Sequence, residues 1–320
     1  MTTLRETSSD GLFQVASFYS FTELSDDVIT SLFDKVTNLA NEKQIKGIVL
    51  FALEGINGTI CGSSEAVNSL LNLLEEPLFD FPLQVKYSWT PKQAFRRFKA
   101  RRKDEIVTMG VEGINPSKLA GTYIEPNEWN DVIDDPETLI IDTRNDYEVA
   151  VGTFNRAINP HTDIFREFPE WVNNKLRPLV EQKQPKQIAM FCTGGIRCEK
   201  ATSYLKKQGF KDVRHLHGGI LSYLEQIPQS ESRWQGECFV FDQRVALNHQ
   251  LLPGTHLLCH ACGMPLSVED RMKNSYIRGS QCHLCKDRFT DQDRKRFVER
   301  QKQIDTLSKS FPNNLIWPNS

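Results

Sequence analysis

The stretch QIAMFCTGGIRCEKATSYLKKQG, residues 187–209, constrains the fold more than any other part of the chain. A short apolar run meets two glycines, and a helix-forming segment follows at once, with Gly209 placed as its C-terminal cap. A buried strand that turns straight into a helix belongs to an open parallel sheet covered by helices, and ligands bind such sheets where strand gives way to helix. Cys192 stands at that point. From about Ile124 to Gln229 the runs TLIIDT, AINP and VRHLH are the further strands expected, alternating with helical stretches.

A turn of this kind aims several backbone N–H groups at one spot and adds the positive end of a helix dipole, so Thr193, Gly194, Gly195 and Ile196 are expected to cradle an anion. A thiolate there has a lowered pKa and becomes a nucleophile, and a persulfide on it is stabilised in the same way. Gly194 and Gly195 let the backbone approach closely, and Arg197 is expected at the rim to face an anionic group. The bland alternative is a buried structural cysteine beside a glycine turn. Cys198 either resolves a persulfide on Cys192 or simply packs. Asp142, Arg144 and Glu148 read first as a buried ion-pair network, and His215 and His217 as core or rim residues.

At 320 residues the chain is long enough for two or three cores. From Phe13 to about Trp89 the order strand, helix, two strands, helix, strand is that of a ferredoxin-like α+β sandwich, with a turn expected at Gly55, Asn57 and Gly58 and a helix capped by Ser63. The expected organisation is that α+β domain over 1–90, a basic connector over 91–124, a parallel α/β domain over 125–230 and a small cysteine-rich module over 231–320. A net charge of −2 excludes a uniformly basic nucleic-acid binder, yet KYSWTPKQAFRRFKARRK, residues 86–103, holds eight lysines and arginines and no acid. Lys92, Arg96, Arg97, Lys99, Arg101, Arg102 and Lys103, interleaved with aromatics, form a candidate RNA patch; a solvated charged face is the alternative.

Cys259 and Cys262 are separated by nineteen residues from Cys282 and Cys285, a spacing that brings four thiolates around a structural zinc. The opening MTTLRETSSDGLF has no leader pattern and no run reaches the length of a membrane span, so a cytoplasmic protein is expected. Trp234, Phe239 and Phe241 alternate as strand core residues would. No flavin or nicotinamide fingerprint is present.

Cys192-Thr-Gly-Gly-Ile-Arg197 resembles the rhodanese loop Cys-x-x-Gly-x-Arg, and LIIDTRNDYEVAVGTFNRAINP and VRHLHGGI resemble that family's flanking motifs. A related phosphatase class has one more residue between cysteine and arginine, so the shorter loop suits a sulfur-sized group. With EGINGTICG near the start and WQGECFVFDQRV before the last module, nearly the whole chain is similar to the bacterial tRNA uridine hydroxylase family. That resemblance implies an oxygen-dependent oxidoreductase that binds a tRNA anticodon loop and converts wobble uridine, U34, to 5-hydroxyuridine, with Cys192 as the essential thiol or persulfide. The rivals are a rhodanese-type sulfurtransferase and a non-enzymatic RNA-binding or sensor protein.

Overall fold

A computed structural model describes residues 11–78 and 82–310; the opening ten residues, read above for a leader, lie outside them. The chain divides into two compact units, Met1–Thr108 and Met109–Ser320.

The first unit runs β1 (Phe13–Phe21), α1 (Asp26–Glu42), β2 (Lys46–Ala52), β3 (Gly55–Gly62), α2 (Ser64–Glu75), β4 (Gln84–Thr90) and β5 (Phe98–Arg102). Its sheet has the order β4-β1-β3-β2-β5, the first four strands antiparallel as a ferredoxin-like sandwich requires. Ser25 and Ser63 cap the two helices by accepting from Val28 N and Ala66 N, each at 3.3 Å. Ile29, Leu32, Val36 and Ala40 on α1, and Val67, Leu70, Leu71 and Leu74 on α2, close a core against Phe18, Val49, Phe51, Ile56 and Ile60.

Two features differ from the sequence expectation. Asn57 and Gly58 lie inside β3 rather than in a turn, which falls at Leu53 and Glu54. Gly58 is required by closeness: a Cβ there would sit 2.6 Å from the Phe18 ring and 2.7 Å from the Ile48 carbonyl. The segment expected as a connector from residue 91 crosses the sheet, burying Ala94 against Val15 and Cys61, and then adds β5 parallel to β2. Phe98 and Ala100 pack on the helix-covered core, an alternation the surrounding charges conceal.

The second unit contains β6 (Thr122–Ile124), α3 (Trp129–Asp134), β7 (Thr138–Asp142), α4 (Asp146–Val149), β8 (Gly152–Phe154), α5 (Phe168–Trp171), α6 (Arg177–Lys183), β9 (Gln187–Phe191), α7 (Ile196–Lys207), β10 (Val213–Leu216) and α8 (Gly219–Gln226). The parallel sheet has the order β6-β10-β9-β7. AINP forms no strand: Ile158 makes one isolated bridge to Ile141, while β8 pairs instead with β11 (Trp234–Gly236). Phe154 is the hub of this core, meeting Trp129, Phe191, Tyr223 and Trp234 edge-on at 4.7–5.9 Å between ring centres. Trp234, Cys238, Val240 and Leu247 belong to the same core, so packing continues through the boundary expected near 230. A smaller cluster around Cys259, Leu266, Cys282 and Cys285 follows, then the helix Asp291–Ser310.

Candidate active site

Cys192 follows the last residue of β9 and is 1% exposed. Gly195 N donates to its sulfur at 3.2 Å, and Gly195 takes φ +100°, a turn open to glycine and strained for other residues. The loop is braced from behind by α8, whose Ile220 N and Leu221 N donate to the carbonyls of Cys192 and Thr193 at 2.9 and 3.1 Å. Gly219 makes that brace possible, because a Cβ there would lie 2.5 Å from the Cys192 oxygen. Gly194 has open space where its Cβ would stand, so packing does not demand glycine at that position.

Burial opposes a charged sulfur at Cys192. A hydrogen bond from Cys198, the charge of Arg197 and the backbone N–H groups of Cys198 and Arg197 outweigh it, lowering the pKa from 9.0 to about 6. The Cys198 thiol, wholly buried and 3.5 Å from the Thr143 hydroxyl, is pushed up by burial and by its charged neighbour Cys192. At neutral pH the pair is therefore a thiolate supported by a thiol.

Arg197 does not reach out as a rim cation. It is 7% exposed, and its two terminal nitrogens donate to the two oxygens of Glu148 at 2.6 and 2.8 Å. Glu148, buried completely, also accepts from Asn145 N. Burial works against its charge, but Arg197 holds the carboxyl below the usual range. Beneath lies a second fork, Arg144 to Asp142 at 2.6 and 2.8 Å, with Arg144 also donating to the Gly152 and Glu148 carbonyls. Arg144 is fully buried and lies over the rings of Trp234 and Phe191. His217 pairs with Glu125, and His215 is buried, its pKa lowered to about 4 chiefly by desolvation.

The four cysteines of the last module do converge. The Sγ atoms of Cys259, Cys262, Cys282 and Cys285 lie within 4.8 Å of one another, with separations of 3.7, 3.7 and 4.0 Å among three of the pairs. A tetrahedron with metal–sulfur bonds of about 2.3 Å has edges of about 3.8 Å, so the donor set fits a four-thiolate metal ion. His260 is turned to Gln301 at 2.7 Å, and His283 stands 3.6 Å from Asp270.

The basic segment belongs to the first unit. Arg97, just before β5, and Lys99 and Arg101 on it recur at every second position, alternating with Phe98 and Ala100, which pack on the core. The charge of Arg97, then desolvation, then the charge of Arg101 lower the Lys99 pKa, the mark of crowded cations. Arg102 is tied to Asp26, Lys92 and Lys103 are exposed, and Arg96 is half-buried. Glu54 and Asn57 hold the chain after β5 through Ile106, accepting from its N at 2.7 Å and donating to its carbonyl at 2.8 Å.

Residues 13–106 match the UPF0176 acylphosphatase like domain, and residues 125–226 match the Rhodanese-like domain. A tRNA uridine(34) hydroxylase from Prochlorococcus marinus is 61% identical over 95% of this chain and 98% of its own length. The chain belongs to the tRNA uridine(34) hydroxylase family. Members from Parasynechococcus marenigrum and Synechococcus are each 58% identical over 92–93% of this chain and 93–94% of their own. The α/β multidomain reading and the resemblance drawn from the sequence both stand. In this family member the surroundings of the Cys192 loop reach beyond the rhodanese match, because Trp234 covers Arg144 and the Phe241 ring lies 6.0 Å from the Arg197 guanidinium. Phe241 is exposed, not the core residue its alternation suggested. No helix among the described residues is long and apolar enough to cross a membrane.

Proposed function

We propose that this chain hydroxylates the wobble uridine, U34, of tRNA at carbon 5, with molecular oxygen as co-substrate and Cys192 as the essential thiol. The near-full-length identity to tRNA uridine(34) hydroxylases carries the reading. Cys192 supports it with a thiolate already formed at neutral pH. That thiolate adds to carbon 6 of the uracil, which makes carbon 5 electron-rich; carbon 5 takes one oxygen atom, loses its proton, and the sulfur leaves to restore the ring. Uridine, one O₂ and two thiols of an external reductant give 5-hydroxyuridine, one water and one disulfide.

Arg97, Lys99 and Arg101 are assigned to the phosphates of the anticodon loop, as their one-sided spacing supports. The four-cysteine site is assigned to structural zinc, whose tetrahedral thiolate preference matches the donor set. A tRNA substrate and eight cysteines outside any disulfide suit the cytoplasm.

Nucleoside mass spectrometry of tRNA from cells lacking the gene, complemented with wild type or Cys192→Ala, tests the assignment. Restoration of 5-hydroxyuridine by wild type alone is expected. Unchanged 5-hydroxyuridine in the deletion refutes it, and loss of a thiolated nucleoside instead transfers the reading to sulfur transfer.

A further inference from the structure

Single exposed apolar side chains are ordinary on protein surfaces. Phe241, 65% exposed, is the most exposed of the described phenylalanines, tyrosines and tryptophans, and it stands beside the Cys192 loop. It is also firmly built. Its ring packs edge-on against Phe239 at 5.2 Å, and Phe239 packs edge-on against Tyr147 of α4 at 5.3 Å. The hairpin carrying it is closed by Val240 N to Val245 O at 2.9 Å and Val245 N to Asp242 O at 3.1 Å. Asp242 accepts from the backbone N and the guanidinium of Arg244, a pair almost wholly buried. Val245 sits at φ +66°, a conformation β-branched residues rarely adopt, so the surrounding contacts over-determine this turn.

The cation nearest to it is already paired. Both terminal nitrogens of Arg197 are engaged by Glu148, which offsets the charge and fixes the guanidinium plane. What the mouth offers is a rigid aromatic surface. Within the loop, the Thr193 hydroxyl is buried and without a hydrogen-bond partner among the described residues. A thiolate adds to a ring carbon along the normal to the ring, so the base must leave the anticodon stack and be held flat while sulfur approaches.

We propose that Phe241 is the stacking platform for the uracil ring of the target nucleotide, making it a positioning residue. This rests on the tRNA reading above. Stacking of a base on an aromatic ring is sequence-tolerant and is lost on truncation to alanine.

The test uses the full chain and anticodon stem-loop RNA carrying either uridine or an abasic nucleotide at the target position. Phe241→Ala is expected to weaken binding of the uridine RNA by about tenfold to a hundredfold and to leave binding of the abasic RNA unchanged. Phe241→Trp keeps the affinity and shows fluorescence quenching with the uridine RNA only, whereas Phe241→Leu, apolar but not planar, behaves as the alanine variant. Thermal unfolding and the Cys192 alkylation rate verify that each variant keeps its fold and its loop. Equal losses on both RNAs, or a leucine variant that binds as wild type, overturn the proposal. If wild type forms no 5-hydroxyuridine while binding still depends on Phe241 and the base, the tRNA-hydroxylation reading fails and the platform stands.

Discussion

Replacing Arg197 by Met and Glu148 by Gln together removes both members of a buried ion pair while nearly keeping their volumes. Breaking the pair on one side leaves a lone buried charge and costs about 3–5 kcal/mol, whereas removing both partners is close to neutral. The double variant is therefore expected to fold. Its effect falls on Cys192, whose pKa of about 6 depends in part on the Arg197 charge. A fall from 9.0 to about 6 is worth ~4 kcal/mol in favour of thiolate, at ~1.4 kcal/mol for each pH unit. The Cys198 hydrogen bond is the largest of the groups that lower it and the Arg197 charge comes next, and the Glu148 charge that opposes Arg197 is removed with it, so the midpoint rises above about 6 without returning to 9.0, and the thiolate fraction at pH 6.5 falls below about three-quarters. Iodoacetamide labelling of Cys192, followed by peptide mass spectrometry between pH 4 and 10, measures that midpoint. Glu148→Gln alone leaves the cation unopposed, so its midpoint holds at about 6 or falls while stability drops. The sign for stability follows from a pKa depressed on folding: the thiolate contribution is full above the unfolded thiol's pKa and is lost as pH falls through about 6. A folded double variant whose midpoint stays at about 6 refutes this account of the thiolate.

Charge reversal of Arg97, Lys99 and Arg101 to glutamate should weaken tRNA binding and flatten its dependence on salt. Three lost phosphate contacts lower the slope of log K against log salt by about 2 to 3, read from filter binding between low and moderate salt; an unchanged slope returns β5 to a solvated edge. Chelation at neutral pH should release one zinc per chain and unfold the segment around Cys259–Cys285, and cobalt substitution should give the absorption of a tetrahedral thiolate site. A metal-free chain with the same hydrogen-exchange protection in that segment argues for four unrelated thiols.

The two strand-and-helix patterns were legible because hydrophobic period and caps agree along them. Ser63 caps α2 and Gly209 follows α7 at φ +85°, both local signals. The Cys192 loop was legible for the same reason, since strand, glycine and helix are contiguous in sequence. β5 was not, because only Phe98 and Ala100 carry its apolar face amid cations. Gly58 misled through its neighbour: Asn-Gly signals a turn, but here glycine answers to Phe18 on the adjacent strand. Arg197 was placed at the rim because its partner, Glu148, is distant in sequence and no local pattern pairs them. Phe241 was hidden by alternation, which tells which side of a strand a residue occupies but not whether anything covers that side.

The pairing of β11 with β8, and the seat of Trp234 over Arg144, have a consequence for how the second unit unfolds locally. Residues 234–247 are not an appendage tethered to a finished domain. They and the Asp142–Arg144 fork share one core, so they should open as one cooperative unit, with amide protection at Trp234 rising and falling with that of β7 and the Cys192 loop. A fragment cut at residue 226 would expose the arginine face and the Phe154 ring, and its thiol would report on a partly melted pocket rather than on the enzyme.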